Sequence, residues 1–391
     1  MSRASVADSK HHYVYATLLQ EIESGRWKEG ARLPSEAQLV ERFGHSRITI
    51  GRALRDLQYA GFISRRAGSG SFVSQESRNT KHFSFGLLIP DLGETDIFDP
   101  ICRGMMASPL ASDHALLWGS ASSATDPGDA TSRGQRAWQL CRQYIDRRVD
   151  GVFFAPVEVT PVAGDVNHRI VAALDAAHIP VVLLDRTVTP YPDPGVHDLV
   201  GIDNRRAGYV MTEHLLQLGA ERIVFVRQPN GATTVDAREA GFREAMHAHR
   251  APNSHQHVAR LDPDDRAVIH ALLDTHTPDA IVCANDRTAS RLMQTLRRLH
   301  IDIPRDIRLV GIDDVEFASL LPVPLTTLRQ PTHEIGEVAL SLMLERVTQV
   351  GTHGGTHGGT QRDLPPRDTR LRADIVVRDS CGAALAGVPS S

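Results

Sequence analysis

The stretch 33–73, LPSEAQLVERFGHSRITIGRALRDLQYAGFISRRAGSGSFV, leaves few folds open to the chain that contains it. Ser35 is a good helix N-cap, and Gln38 three residues on completes a capping box. Gly44 allows a tight turn, and Ser46 caps a second helix. On that helix Ile50, Ala53, Leu54 and Leu57 recur at helical spacing, which predicts a buried stripe. The other face carries Arg47, Thr49, Arg52 and Arg55. Gly61 ends the helix, and 62–66 and 71–74 read as two strands around Ala67-Gly68-Ser69-Gly70. Helix, turn, helix and hairpin in this order make a winged helix-turn-helix.

A helix of this kind fits the major groove of double-stranded DNA. There Arg reaches guanine edges or phosphates and Thr pairs with either. Arg65 and Arg66 on the wing are expected to lie along phosphates or enter the minor groove. Gly68 and Gly70 let the wing backbone come close. With Ser35 and Ser46 at the two helix starts, these residues form the expected DNA-binding set. The plain alternative is an amphipathic helix with a solvated basic face. The pattern as a whole resembles the GntR family of bacterial repressors, whose motif runs through L-P-S-E, S-R-x-T, A-L-x-x-L, G-x-I and G-x-G-x-F-V, all present here in order. Two positions depart from it. Ala37 and Gly51 stand where many members carry an Arg, and Arg52 is expected to take over the second contact.

At 391 residues the chain is long enough for two or three domains. The net charge of −4 hides an asymmetry: 1–78 carries 12 Lys and Arg against 8 Asp and Glu, and the rest has the opposite excess. A basic head on an acidic body suits a protein whose head alone meets nucleic acid. Cys102, Cys141, Cys283 and Cys381 are scattered, with no C-x-x-C pair, and read as reduced thiols of a cytoplasmic protein. No signal peptide and no membrane-length apolar run are read in the chain. Lys10, Lys28 and Lys81 are the only lysines. A Walker A loop and a pyridoxal-phosphate Schiff base are therefore excluded from everything after Lys81.

The expected order is a loose tail over 1–12, the winged domain over 13–74, a polar linker over 75–82, a ligand-binding domain over 83–380 and a tail over 381–391. Strand-like runs at 85–89, 115–118, 151–154, 181–184, 199–202, 223–226, 280–283 and 307–312 alternate with amphipathic stretches such as 205–218 and 288–299. Continuous apolar strands joined by helices predict parallel sheets covered on both faces, in two α/β lobes. Such sheets bind ligands at the carboxyl ends of their strands. Asp185-Arg186, Asn285-Asp286 and Asp313-Asp314 follow strands there, Gln330 follows Thr327-Leu328-Arg329, and Arg238 opens a helix. Carboxylates, amides and an Arg can each take two hydroxyls of a sugar, and Phe98 can stack on its apolar face. Each Asp alone reads first as a turn or cap residue, and the plain alternative for Arg238 is a surface salt bridge with Glu239 or a nearby Asp.

Together the pieces IPVVLLDR, GIDNRRAG, DAREAGF, ANDRTA, IRLVGIDD, PLTTLRQP and LRADIVVRDS resemble the periplasmic-binding-protein-like sensor of the LacI/GalR family. That resemblance implies that Asp185, Arg186, Arg238, Asn285, Asp313 and Gln330 hold the effector, with Phe98 near the ring-stacking aromatic. Ile97-Phe98-Asp99-Pro100 departs from the family's usual pattern. A GntR-like head on a LacI-like sensor looks like the arabinose-repressor type of regulator. It implies a repressor, dimeric through its sensor, that binds a palindromic operator and answers to a sugar or related metabolite. No cofactor, metal or catalytic residue is expected. The His residues at 247, 249, 255 and 257 read as surface residues, and the His-Gly-rich stretch 351–368 as a low-complexity insertion. The competing classes are a sugar-binding receptor without a regulatory role and an α/β enzyme.

Overall fold

The computed structural model describes residues 3–28, 30–59, 61–66, 70–74, 82–89, 97–119, 130–158, 166–193, 195–229, 231–249, 258–351 and 365–386. The expected linker therefore lies outside the described residues except for His82. The same holds for Gly68, His255, His257 and most of the His-Gly-rich stretch.

In the head, α1 (Arg3–Glu23), α2 (Glu36–Phe43) and α3 (Arg47–Tyr59) precede a hairpin of β1 (Ile63–Arg66) and β2 (Gly70–Val73). The capping box is formed: the Ser35 amide donates to Gln38 Oε1 at 2.8 Å and the Gln38 amide to Ser35 Oγ at 3.3 Å. The Thr49 amide donates to Ser46 Oγ at 3.2 Å. Ile50, Ala53, Leu54 and Leu57 are buried as their spacing predicts, against Val14, Leu18, Leu39, Ile63 and Val73. Buried Glu21 ties α1 to α2, accepting from Arg42 Nη1 at 2.9 Å and Trp27 Nε1 at 3.1 Å. The stretch expected to be a loose tail is instead helical, because α1 starts at Arg3. Nothing in 3–12 breaks a helix, and His11 anchors it to α3 through Asp56 at 2.6 Å.

The larger compact unit takes in the described residues within 85–107, 116–339 and 365–386. Its first half runs through β3 (Ser84–Leu88), α4 (Phe98–Ala107), β4 (Ala115–Trp118), α5 (Ala130–Asp146), β5 (Gly151–Phe154), α6 (Val166–Ala176), β6 (Val181–Leu184) and β7 (Asp198–Ile202). The second half adds α7 (Asn204–Gln217), β8 (Ile223–Arg227), α8 (Thr233–Ala248), β9 (Val258–Arg260), α9 (Arg266–His276), β10 (Ala280–Cys283), α10 (Asp286–Arg298), β11 (Arg308–Asp313) and β12 (Thr326–Arg329). Then come α11 (Thr332–Gly351), β13 (Asp368–Leu371) and β14 (Asp374–Val376). One sheet has the order β13-β7-β6-β5-β3-β4 and the other β14-β12-β11-β10-β8-β9. Pairing is parallel across β13-β7-β6-β5-β3 and β12-β11-β10-β8-β9, while β14 runs antiparallel to β12. Each sheet has its own apolar core: Phe154, Leu183 and Ile170 belong to one, Val226, Cys283 and Leu292 to the other. The chain leaves the first sheet after β7, returns for β13 and crosses again to β14.

Three boundaries differ from the sequence reading. Strands β9, β12, β13 and β14 were not read, because each carries charged or polar residues in place of a continuous apolar run. Asp368, placed in the low-complexity stretch, starts β13. The expected C-terminal tail begins with ordered short turns over Asp379–Cys381 and Ala383–Ala386, in which Cys381 and Ala383 are buried.

Helices α7 and α8 pack backbone to backbone. A Cβ on Gly208 would sit 1.9 Å from the Arg238 carbonyl oxygen, and one on Gly241 1.8 Å from that of Arg205. Only glycine permits this approach, and α8 carries Arg238. Gly241→Ala is therefore expected to destabilise this domain by about 1–3 kcal/mol through overpacking. The measurement is the urea midpoint; an unchanged midpoint would show that the helices can part freely.

Candidate functional site

At the carboxyl ends of the second sheet's strands, Arg238 is the hub. It lies in the second turn of α8 and is 3% exposed, so neither the expected helix start nor a surface pair with Glu239 is what it forms. Glu239 instead accepts from Arg227 at 3.0 Å and Arg243 at 2.9 Å. The Arg238 guanidinium donates to Asn204 Oδ1 at 2.8 Å, the Ala284 carbonyl at 2.7 Å and Asp313 Oδ1 at 3.1 Å. Asp313 Oδ1 also accepts from Gln330 Nε2 at 2.7 Å. Burial raises the Asp313 pKa against the pull of Arg238 and Gln330, and the Asp185 carboxylate adds to the rise. That last influence crosses from one lobe to the other, since Asp185 follows β6 of the first sheet.

Asp185 is 5% exposed and has a positive φ of 67°. Its amide donates to the Val200 carbonyl at 2.9 Å, which fixes the turn. Its Oδ1 is buried without a hydrogen-bond partner, as are Gln330 Oε1 and Arg186 Nε, the last lying 3.4 Å from Asp185 Oδ2. Buried polar atoms are normally paired, so a hydroxylated ligand could supply the missing partners. Arg186 also lies 5.5 Å from the Phe98 ring centroid and 3.5 Å from Glu158 Oε1. Phe98 is 2% exposed, so its ring packs under Arg186 and is not an open stacking platform.

Neighbours with the same sequence signature play other parts. Asn285 caps α10, its Oδ1 accepting from the Thr288 amide at 2.8 Å, which leaves its amide group for a ligand. Asp314 clamps Arg329 and Arg378, each at 2.6 Å. Asn204 and the Ala284 carbonyl were missed by sequence reasoning; the GIDN motif held the only signal for the first. His249 pairs with Glu213 at 3.0 Å, and the described residues contain no cluster of His, Cys, Asp and Glu that could hold a metal.

Asp286 is fully buried beneath this constellation. It accepts from the Thr327 hydroxyl at 2.6 Å and the Val315 amide at 3.1 Å. Burial, with the Asp313 carboxylate next, pushes its carboxyl up to about 7 despite those bonds. A carboxyl whose folded pKa is raised binds its proton more tightly when folded, so its contribution to stability is full below about pH 4 and declines toward pH 7. Asp286→Asn is expected to flatten that decline. Denaturant midpoints at about pH 5 and pH 8 would check it; an equally steep decline in the variant would assign the titration elsewhere.

On the head, Arg47 is 82% exposed at its side chain and Arg52 and Arg55 are exposed beside it. Glu36 holds both the recognition helix and the wing: its Oε2 accepts from Arg47 Nε at 3.2 Å, and its Oε1 pairs with Arg65. Burial works to raise the Glu36 carboxyl, but the Arg47 and Arg65 hydrogen bonds outweigh it and hold the pKa low. Sequence reasoning saw Glu36 only as a motif letter. Thr49 is half-buried, its hydroxyl 2.9 Å from Ser46 Oγ, and Ser35 is likewise engaged in its own cap. Gly70 has a φ of 108° and abuts Arg32, a conformation that favours glycine. Arg66 pairs with Gly70 in the hairpin register.

Residues 11–73 match the model of bacterial regulatory proteins of the gntR family, and 212–381 that of a periplasmic binding protein-like domain. The chain is 27% identical to the arabinose metabolism transcriptional repressor of Geobacillus stearothermophilus over 85% of its own length and 89% of the relative's. It is 25% identical to the ribose operon repressor of Halalkalibacterium halodurans over 78% and 88% of the two chains. A LacI family transcriptional regulator from Enterococcus faecium, solved with bound ribose, shares the fold with a TM-score of 0.57 at 24% identity, covering 76% of this chain and 98% of that one.

Proposed function

We propose that this chain, a DNA-binding transcriptional regulator joining a gntR-type head to a LacI-type sensor, acts as a repressor. Its operator affinity changes when a sugar or related polyol binds between the sensor lobes. The observation that carries the reading is the pair of buried polar atoms without hydrogen-bond partners, Asp185 Oδ1 from one lobe and Gln330 Oε1 from the other, beside the Arg238–Asp313 ion pair. Arg186 and the Asn285 amide complete the pocket, and Phe98 contributes as the apolar floor under Arg186. The arabinose and ribose in the relatives' names, and the ribose in the solved neighbour, point to pentoses as the first ligands to try. The sensor carries the dimer contact, and the operator is palindromic, because one short helix per subunit reads too few bases. No described helix is long and apolar enough to cross a membrane, and no catalytic role is assigned to any residue.

A thermal-shift screen of the full chain against pentoses, hexoses and sugar alcohols tests the sensor, because a ligand for the native state raises the melting temperature. Asp185→Asn keeps the side-chain shape but halves the acceptor capacity. It is expected to leave unliganded melting near wild type and to weaken the responding sugar by about 1.5–3 kcal/mol. An undiminished shift at the same sugar concentration would remove Asp185 from the pocket. Arg238 is a poorer test, since its loss leaves Asp313 buried and unpaired, worth about 3–5 kcal/mol of stability.

Arg47→Ala is expected to weaken operator binding by about 1–3 kcal/mol in salt-matched titrations while the sugar response stays intact. Unchanged affinity would mean that α3 does not enter the groove.

A further inference from the structure

The recognition helix carries a side chain that neither the core nor a set of hydrogen-bonding groups accounts for. Ile48, in the first turn of α3, is 81% exposed. It stands between Arg47 and Thr49 in sequence, and four and seven residues before Arg52 and Arg55, so all three share one stripe of the helix. That stripe lies opposite Ile50, Ala53, Leu54 and Leu57, which are buried. An isoleucine among exposed arginines gains nothing from solvent, and the basic surroundings point to nucleic acid as what covers it. In a helix-turn-helix the first residues of the recognition helix reach base edges. The thymine 5-methyl is the apolar feature of the major groove's base edges.

We propose that Ile48 is a specificity-determining residue that reads thymine by packing its branched side chain on the 5-methyl group of a T·A pair, flanked by polar contacts from Arg47. The inference rests on the reading of the head as a DNA-binding domain and adds the base that the operator must carry there. It assigns Ile48 no hydrogen bond, so the whole discrimination depends on one methyl group.

The test uses the full chain. A random duplex pool is enriched on the protein, and the enriched site is resynthesised with each thymine replaced in turn by deoxyuridine, which keeps every hydrogen-bonding group and lacks only the methyl. One replacement per half-site is expected to weaken binding about four-fold, the fold-change for one buried methyl or methylene, with the other replacements near neutral. Ile48→Ala, an exposed change to a good helix former, is expected to bind the thymine site about as weakly as wild type binds the deoxyuridine site. It should show no further loss on deoxyuridine, whereas Ile48→Val should retain most of the discrimination. A flat deoxyuridine scan with wild type, or discrimination that persists in Ile48→Ala, overturns the inference and leaves the DNA-binding reading standing. Failure to enrich any duplex overturns both. A change of oligomeric state in Ile48→Ala together with a flat scan would place Ile48 at a protein contact instead.

Discussion

The sensor depends on one buried ion pair, Arg238 with Asp313. Taking two charges out of water costs several kcal/mol per ion, and the pair persists only when its remaining hydrogen-bonding capacity is met. Here it is met by elements far apart in sequence: Asn204 at the start of α7, the Ala284 carbonyl after β10 and Gln330 after β12. The guanidinium thereby fixes the carboxyl ends of β10 and β11 relative to α8. Its reach depends in turn on the glycines at 208 and 241, without which α7 and α8 could not approach so closely. Packing and electrostatics are thus one constraint: spread the helices and the hub loses Asn204.

The head solves a related problem on its surface. Arg47 and Arg65 belong to different elements and are long, flexible side chains whose ordering on DNA carries an entropic cost. Glu36 accepts from both and holds them on the same side of the domain, where they would be ordered before any DNA arrives. Solvent exposure keeps these ion pairs weak, so a phosphate can take over either arginine without a large loss. The same acid therefore organises the basic surface without neutralising it for good.

Much of this was legible in the chain. The capping box at Ser35, the buried stripe from Ile50 to Leu57 and the strands at 115–118, 151–154, 181–184 and 280–283 follow from local rules, and the protein forms them as read. What was not legible depends on tertiary neighbours. Asp313 and Asp314 are adjacent and chemically identical, yet one meets Arg238 and the other is consumed by Arg329 and Arg378. Asn285 could be a cap or a ligand, and only the fold shows that its Oδ1 is taken by the Thr288 amide while its side-chain NH2 is not. Phe98 has the chemistry of a stacking platform but lies buried under Arg186. Ile48 was overlooked for a different reason: a periodicity search for apolar residues attends to those that fall on the buried face.

The charges in the cleft say which ligand can close it. Asp185 and Asp313 come from the two lobes, and the Asp185 carboxylate adds to the rise of the Asp313 pKa that burial starts. An anionic ligand would set a further negative charge beside these two carboxylates, and a cationic one would meet Arg186 and Arg238. A neutral polyol avoids both. Its hydroxyls can donate to the orphaned Asp185 Oδ1 and Gln330 Oε1 and accept from Arg186 Nε. Such bonds to both lobes form together only when the lobes are close, so the ligand binds the closed state better than the open one. That difference is the sole source from which binding can shift a conformational equilibrium. A difference of about 1–3 kcal/mol, the usual range of coupling between sites, moves operator affinity by one to two decades. On the proposed reading, a few hydrogen bonds to buried acceptors would supply it.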